Sequence, residues 1–264
     1  MNNTKQTKQF SLQRFLLLFR NEFALNQSTL LITVASLFGL LLLINIASVS
    51  TAQDWNFHLV FYPLVLMIGG HIITSTAFHE LHSKEKSYTF ITLPASLAEK
   101  YLVKLILTSI GYAIASLIVY FVFSLVAVGL SELFFDMSHP IFNPFHPLVW
   151  RMVSIYIATH AVTFFGAVFF KRLHLLNTIL WITIIGLVLG FVFTSLFRLV
   201  FWEYFEGFSL TITDETISIL NPAEHTDLIG FFNGITTFLE VLLYGAMPVF
   251  FWVTGFIRLR ETEV

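Results

Sequence analysis

Four places in the 264-residue chain hold side chains whose types and spacing allow chemistry. The first is His79-Glu80-Leu81-His82. It approaches the zinc-hydrolase pattern H-E-x-x-H, in which two histidines bind the metal from one helix face and Glu is the general base. Here the histidines stand at i and i+3, and no downstream acid or His offers an obvious third ligand. A solvated helix end is the better reading, so no metal and no catalytic residue is assigned. The second is the set Glu240, His71 and His160, which lie inside long apolar runs where ionisable groups are functional candidates by default. Facing one cavity, the three would make a proton relay. Taken singly, His71, His160 and Asn45 read as hydrogen-bonding groups between helices. Glu240 reads equally as a proton-coupled or substrate contact, a partner for Arg151 or Arg198, or a structural hydrogen bond to Thr236 or a neighbouring helix.

The third place is Ser96-Leu-Ala-Glu99, the spacing of a capping box. The Ser oxygen accepts from the third backbone N–H of a helix, and Glu reaches back to the cap N–H. Pro94 stops any helix from running through from before it, so a new helix is expected from Leu97. The fourth is the stretch Tyr88 to Leu93, a short aromatic and apolar run beside a dense charge cluster, which needs a membrane surface or a protein against it. No cysteine occurs, so thiolate chemistry and disulfides are excluded. No Gly-Lys dipeptide occurs either, so the chain has no Walker A phosphate loop.

These groups are carried by an unusually apolar chain. Hydrophobic residues make up 56% and charged residues 11%, against about a quarter charged in soluble domains. That balance excludes disorder and a single-core soluble enzyme, and a formal charge of −2 gives no field for nucleic acid. An all-α polytopic membrane protein is expected, as one domain over residues 1–264. Six stretches meet the ~20 apolar residues that a bilayer crossing needs: about 30–49, 57–78, 102–129, 148–170, 175–201 and 234–257. Continuous runs of this length read as helices and not as the alternating segments of a β-barrel.

All of the 14 Lys and Arg except Arg151 and Arg198 fall on one side of that arrangement, which predicts cytoplasmic N- and C-termini. Trp55, Trp150 and Trp202 fall at the outer boundary, where aromatic belts sit. The N-terminal apolar run is longer than a signal-peptide core, and Ile46-Ala47-Ser48 is a weak cleavage match, so it reads as an uncleaved helix. Residues 10–25 are expected to be an amphipathic helix in the membrane surface, with Leu12, Phe15, Leu16, Phe19 and Phe23 toward lipid. The loop 79–101 is the charged internal segment, and 202–232 is a long external one. Gly186 and Gly190 make a G-x-x-x-G match in the fifth span, a weak sign of helix pairing.

With Glu85, Lys86, Ser87, Tyr88, Phe90, Leu93, Pro94, Ala95, Ser96, Glu99 and Lys100, the loop resembles that of permease subunits of ABC-2 type transporters. The short bacterial forms are most similar, with a charged stretch before an "LPAS…EK" motif, six spans and an interfacial N-terminal helix. The resemblance implies a permease without ATPase activity or cofactor of its own, in a bacterial cytoplasmic membrane. ATP and Mg would belong to a separate nucleotide-binding subunit. Its docking surface would be Glu85, Lys86, Tyr88, Phe90, Leu93, Pro94, Ser96 and Glu99. A second permease copy, identical or not, is implied too, with short external helices between spans five and six. The alternatives are a proton-linked secondary transporter built around Glu240, and a non-transporting membrane scaffold whose loop recruits a soluble partner.

Overall fold

The computed structural model describes residues 10–49, 57–82, 94–135, 140–170, 174–200, 205–206, 209–210, 234 and 236–262. These residues are overwhelmingly helical. Five helices are long and apolar enough to cross a membrane: α2 (Phe57–Leu81), α3 (Leu97–Phe134), α4 (Pro147–Phe169), α5 (His174–Leu196) and α6 (Thr236–Glu261). They follow α1 (Leu12–Val49), whose apolar part, Leu31–Ala47, is shorter than the other five. Six spans were expected, and five meet the length and composition of a span among the described residues.

The expected boundary between a surface helix at 10–25 and a first span from 30 is not a break: α1 is one helix of 38 residues. The polar run Asn26-Gln27-Ser28-Thr29 has weak helix propensity, yet neither Pro nor Gly occurs between Leu12 and Phe38 to end the helix. At helical rise α1 is about 57 Å long, nearly twice the bilayer core of about 30 Å. It runs parallel to α3 over almost that whole length. Arg14–Glu99 near its start and Asn45–Ser131 near its end are 85 and 86 positions apart, so the helices stay in step. Between them, Phe38 meets Phe123 edge to face at 5.4 Å.

Helix α4 is the centre of the bundle and packs against α2, α5 and α6. Pro147 occupies its first turn, where the missing N–H costs nothing, and His146 caps it by accepting from Leu148 N at 3.2 Å. One core cluster, with Tyr62, Leu66, Tyr120, Phe123 and Tyr156, fills the space among α2, α3 and α4. A second, with Phe78, Tyr101, Phe164 and Leu259, joins the other ends of these helices to α6. Of the segment 202–232, only a hairpin of two-residue strands is described, pairing Phe205 with Leu210 and Glu206 with Ser209. The external helices implied there by the resemblance lie outside the described residues.

Helix α5 docks through its first turns alone. Gly166 of α4 leaves the space that Thr178 fills, and a Cβ at 166 would overlap the threonine hydroxyl. Beyond that point α5 is exposed, and nothing lies against Gly186 or Gly190. Gly166→Val is therefore expected to detach α5 while leaving the α2–α4 core folded. Limited proteolysis near the α4–α5 connection would read this as faster cleavage, with unchanged protection of α3.

Candidate functional site: an ionic layer at the capped end and a polar core beneath it

The capping box forms as its spacing requires. Ser96 Oγ accepts from Glu99 N at 3.3 Å, and Glu99 Oε2 accepts from Ser96 N at 2.8 Å. The same carboxylate reaches a second helix: its Oε1 accepts from Ser11 N at 2.6 Å and from Arg14 Nη2 at 3.1 Å. Glu99 is fully buried, so this one group closes the start of α3 and the start of α1 together. A buried carboxylate is tolerable because three N–H groups surround it. Ser11 lies just before α1, where its N–H has no helical acceptor.

A turn and a half further along α3, Lys104 Nζ lies 3.1 Å from Glu22 of α1 and 3.5 Å from Glu80 of α2. Lys100 and Lys104 are both buried. Glu80, expected to be part of a solvated helix end, is thus one side of a three-helix ion cluster. Among the described residues no group of three or more His, Cys, Asp or Glu is placed to hold a metal.

Deeper along the same helices lies the polar core. Both ring nitrogens of His71 meet α4 hydroxyls, Nδ1 at 3.0 Å from Thr163 Oγ1 and Nε2 at 3.3 Å from Thr159 Oγ1. His160 Nε2 is 2.9 Å from Thr108 Oγ1 of α3. Since the Thr108 hydroxyl gives its proton to Lys104 O at 2.8 Å, the imidazole N–H is the donor to it. His160 Nδ1 then carries a lone pair that meets no partner among the described residues. The two histidines flank the Tyr156 ring, at 5.8 and 5.7 Å between centroids.

Glu240 is not brought to them. It lies exposed on α6. Of the loop residues singled out, Pro94 is exposed, Ser96 and Glu99 are buried, and Glu85, Lys86, Tyr88, Phe90 and Leu93 lie outside the described residues. Sequence reasoning missed Ser11, Arg14, Glu22 and Lys104 as members of the site, and Thr108 and Tyr156 as members of the core. The available signal was charge inside otherwise apolar helices, at Glu22 and Lys104, which marks buried pairing when no solvent is near.

Comparison with known proteins found no matching family model, no similar curated protein and no similar solved structure.

Proposed function

We propose that the chain is the membrane-spanning permease subunit of an ABC-2 type exporter, driven by ATP hydrolysis in a separate chain docked on the loop 79–101. The observation that carries this reading is the Glu99 carboxylate. It sits just after Pro94-Ala95-Ser96 and bonds to Ser96, Ser11 and Arg14 at once. A displacement of the loop is therefore delivered to α1 and α3 together, two helices longer than the bilayer is thick. A rigid connection of this kind is what coupling to an external motor needs.

In this reading the capped end faces the cytoplasm of a bacterial cell, and both termini lie there, as the distribution of Lys and Arg favours. Leu31–Ala47 supplies a sixth crossing. Residues 10–25 keep their lipid contact through Leu12, Leu16, Leu17 and Phe23, which are exposed along the first turns of α1. A second permease copy and lipid complete the surroundings of the exposed helices. The proton-linked alternative is built around Glu240, which lies exposed on α6 and apart from His71 and His160, so a relay through all three has no support from their positions. The scaffold alternative needs a partner on the same loop that is no ATPase.

The test is purification of the tagged chain from its native membranes in mild detergent, with co-purifying chains identified by mass spectrometry and assayed for ATP hydrolysis. A stoichiometric chain with a Walker A loop is expected, and the Tyr88→Ala, Phe90→Ala double variant should lose it while keeping the folded bundle. A chain that purifies alone, or with a partner that hydrolyses no ATP, overturns the reading.

A further inference from the structure

Helices α2 and α3 each contain one turn wound too wide, Val65–Gly69 in α2 and Leu107–Gly111 in α3. In a wide turn the N–H bonds back five residues instead of four, so one carbonyl loses its donor. In α3 the N–H of Tyr112 goes to Leu107 O, and the orphan is Thr108 O, which would otherwise receive it. In an apolar bundle such an orphan persists only with a substitute donor. Tyr156 of α4 supplies it, its hydroxyl donating to Thr108 O at 2.5 Å. At the wide turn of α2 the Tyr112 hydroxyl donates to Val65 O at 2.8 Å, while the N–H of Gly70 goes to Leu66 O and Met67 O. Gly69 and Gly70 make the slots: a Cβ at 69 would overlap the Tyr112 hydroxyl, and one at 70 the Tyr156 ring.

We infer that the wide turn of α3 is a hinge, with the Tyr156 hydroxyl on Thr108 O as its releasable latch and Gly70 as the slot that admits the latch ring. On one side of the hinge is the limb Leu97–Ile106, which carries Glu99, Lys100 and Lys104; on the other is Tyr112–Phe135. Closing the turn to regular winding turns the first limb by about 100° relative to the second, one residue's share of a helical turn. That rotation takes Glu99 away from Arg14, and Lys104 away from Glu22 and Glu80. Latched and released states therefore differ in whether the ionic layer is made. The device stands whether or not an ATPase moves it.

The hydroxyls of the polar core are not a proton wire in the latched state. Those of Tyr112, Tyr156, Thr74 and Thr108 all donate to backbone carbonyls, so none of these hydroxyls passes its proton to another side chain. Holding irregular backbone accounts for them, and a hinge accounts for why the backbone is irregular there.

The full-length chain in lipid nanodiscs is suited to the test, with amide hydrogen exchange and acetylation of native lysines by a water-soluble amine reagent, both read by mass spectrometry. In the wild-type chain, exchange across residues 107–112 and acetylation of the buried Lys104 should report the same opening equilibrium, while amides 116–130 stay far better protected. Tyr156→Phe should raise both readouts about tenfold, the factor that follows from losing one typical hydrogen bond. Gly70→Ala should do the same with the hydroxyl still present, because it displaces the ring. Tyr120→Phe removes an equally buried hydroxyl on the outer limb and should change neither. Differing wild-type opening equilibria would overturn the hinge without any variant. A rise in exchange at 107–112 with unchanged Lys104 acetylation would overturn it too, leaving Tyr156 as a local brace.

Discussion

Glu99→Gln is expected to destabilise the chain more than any other single change of charge, by about 3–5 kcal/mol, the usual cost of breaking a buried, fully bonded charged group. The substitution keeps the shape of the side chain but turns one oxygen into a donor. That donor must then face Ser96 N on one side, or Ser11 N and Arg14 on the other. Either arrangement sets N–H against N–H in a place that water does not reach. Equilibrium unfolding in mixed micelles gives the measurement. Arg14→Met is expected to cost less, because Arg14 is partly exposed and the two backbone donors to Glu99 remain. Combined in a double-mutant cycle, the two changes should show a coupling of about 1–2 kcal/mol, within the usual range for residues in contact. Equal cost of Arg14→Met in both backgrounds would mean that the 3.1 Å contact contributes nothing.

The helical class, the apolar stretches and the cap at Ser96 were legible in the sequence, and they are its local features. A capping box is written in four consecutive residues, and a span in about twenty. What Glu99 does beyond its own helix was not legible, because its other partners, Ser11 and Arg14, lie 88 and 85 positions away. Lys100 and Lys104 belong to the Lys and Arg that set the charge of one side of the chain, but both are buried and Lys104 is held by acids from two helices. The polar run at 26–29 looked like a boundary because loops are polar; continuity depends instead on the absence of a breaker. The wide turns leave almost no trace in a sequence this uniformly apolar, where shifting the phase by one residue exchanges one Leu, Ile or Val for another. Gly69-Gly70 is the visible mark, and its meaning comes only with Tyr112 of α3 and Tyr156 of α4 packed against it.

Lys104→Met should have the second largest effect, about 3 kcal/mol, and it separates the two acids that share this lysine. Lys104 is nearly buried, Glu22 is 19% exposed and Glu80 is 39% exposed, at 3.1 and 3.5 Å from the ammonium group. Glu22 is the more buried of the two acids and the closer to the ammonium group, so it loses more when the lysine goes. Glu80 can rotate into solvent, so Glu80→Gln is expected to cost less than about 1 kcal/mol, as exposed pairs do. Glu22→Gln should cost clearly more. Molar salt should reduce the Glu80 contribution and leave that of Glu22 nearly intact, since screening acts on exposed charges. Equal costs for the two acids would mean that the layer works as one undivided cluster. The predicted inequality would mean instead that α3 is held chiefly to α1. In that case the two long parallel helices move as one body when the loop is displaced, and α2 is the surface they slide against.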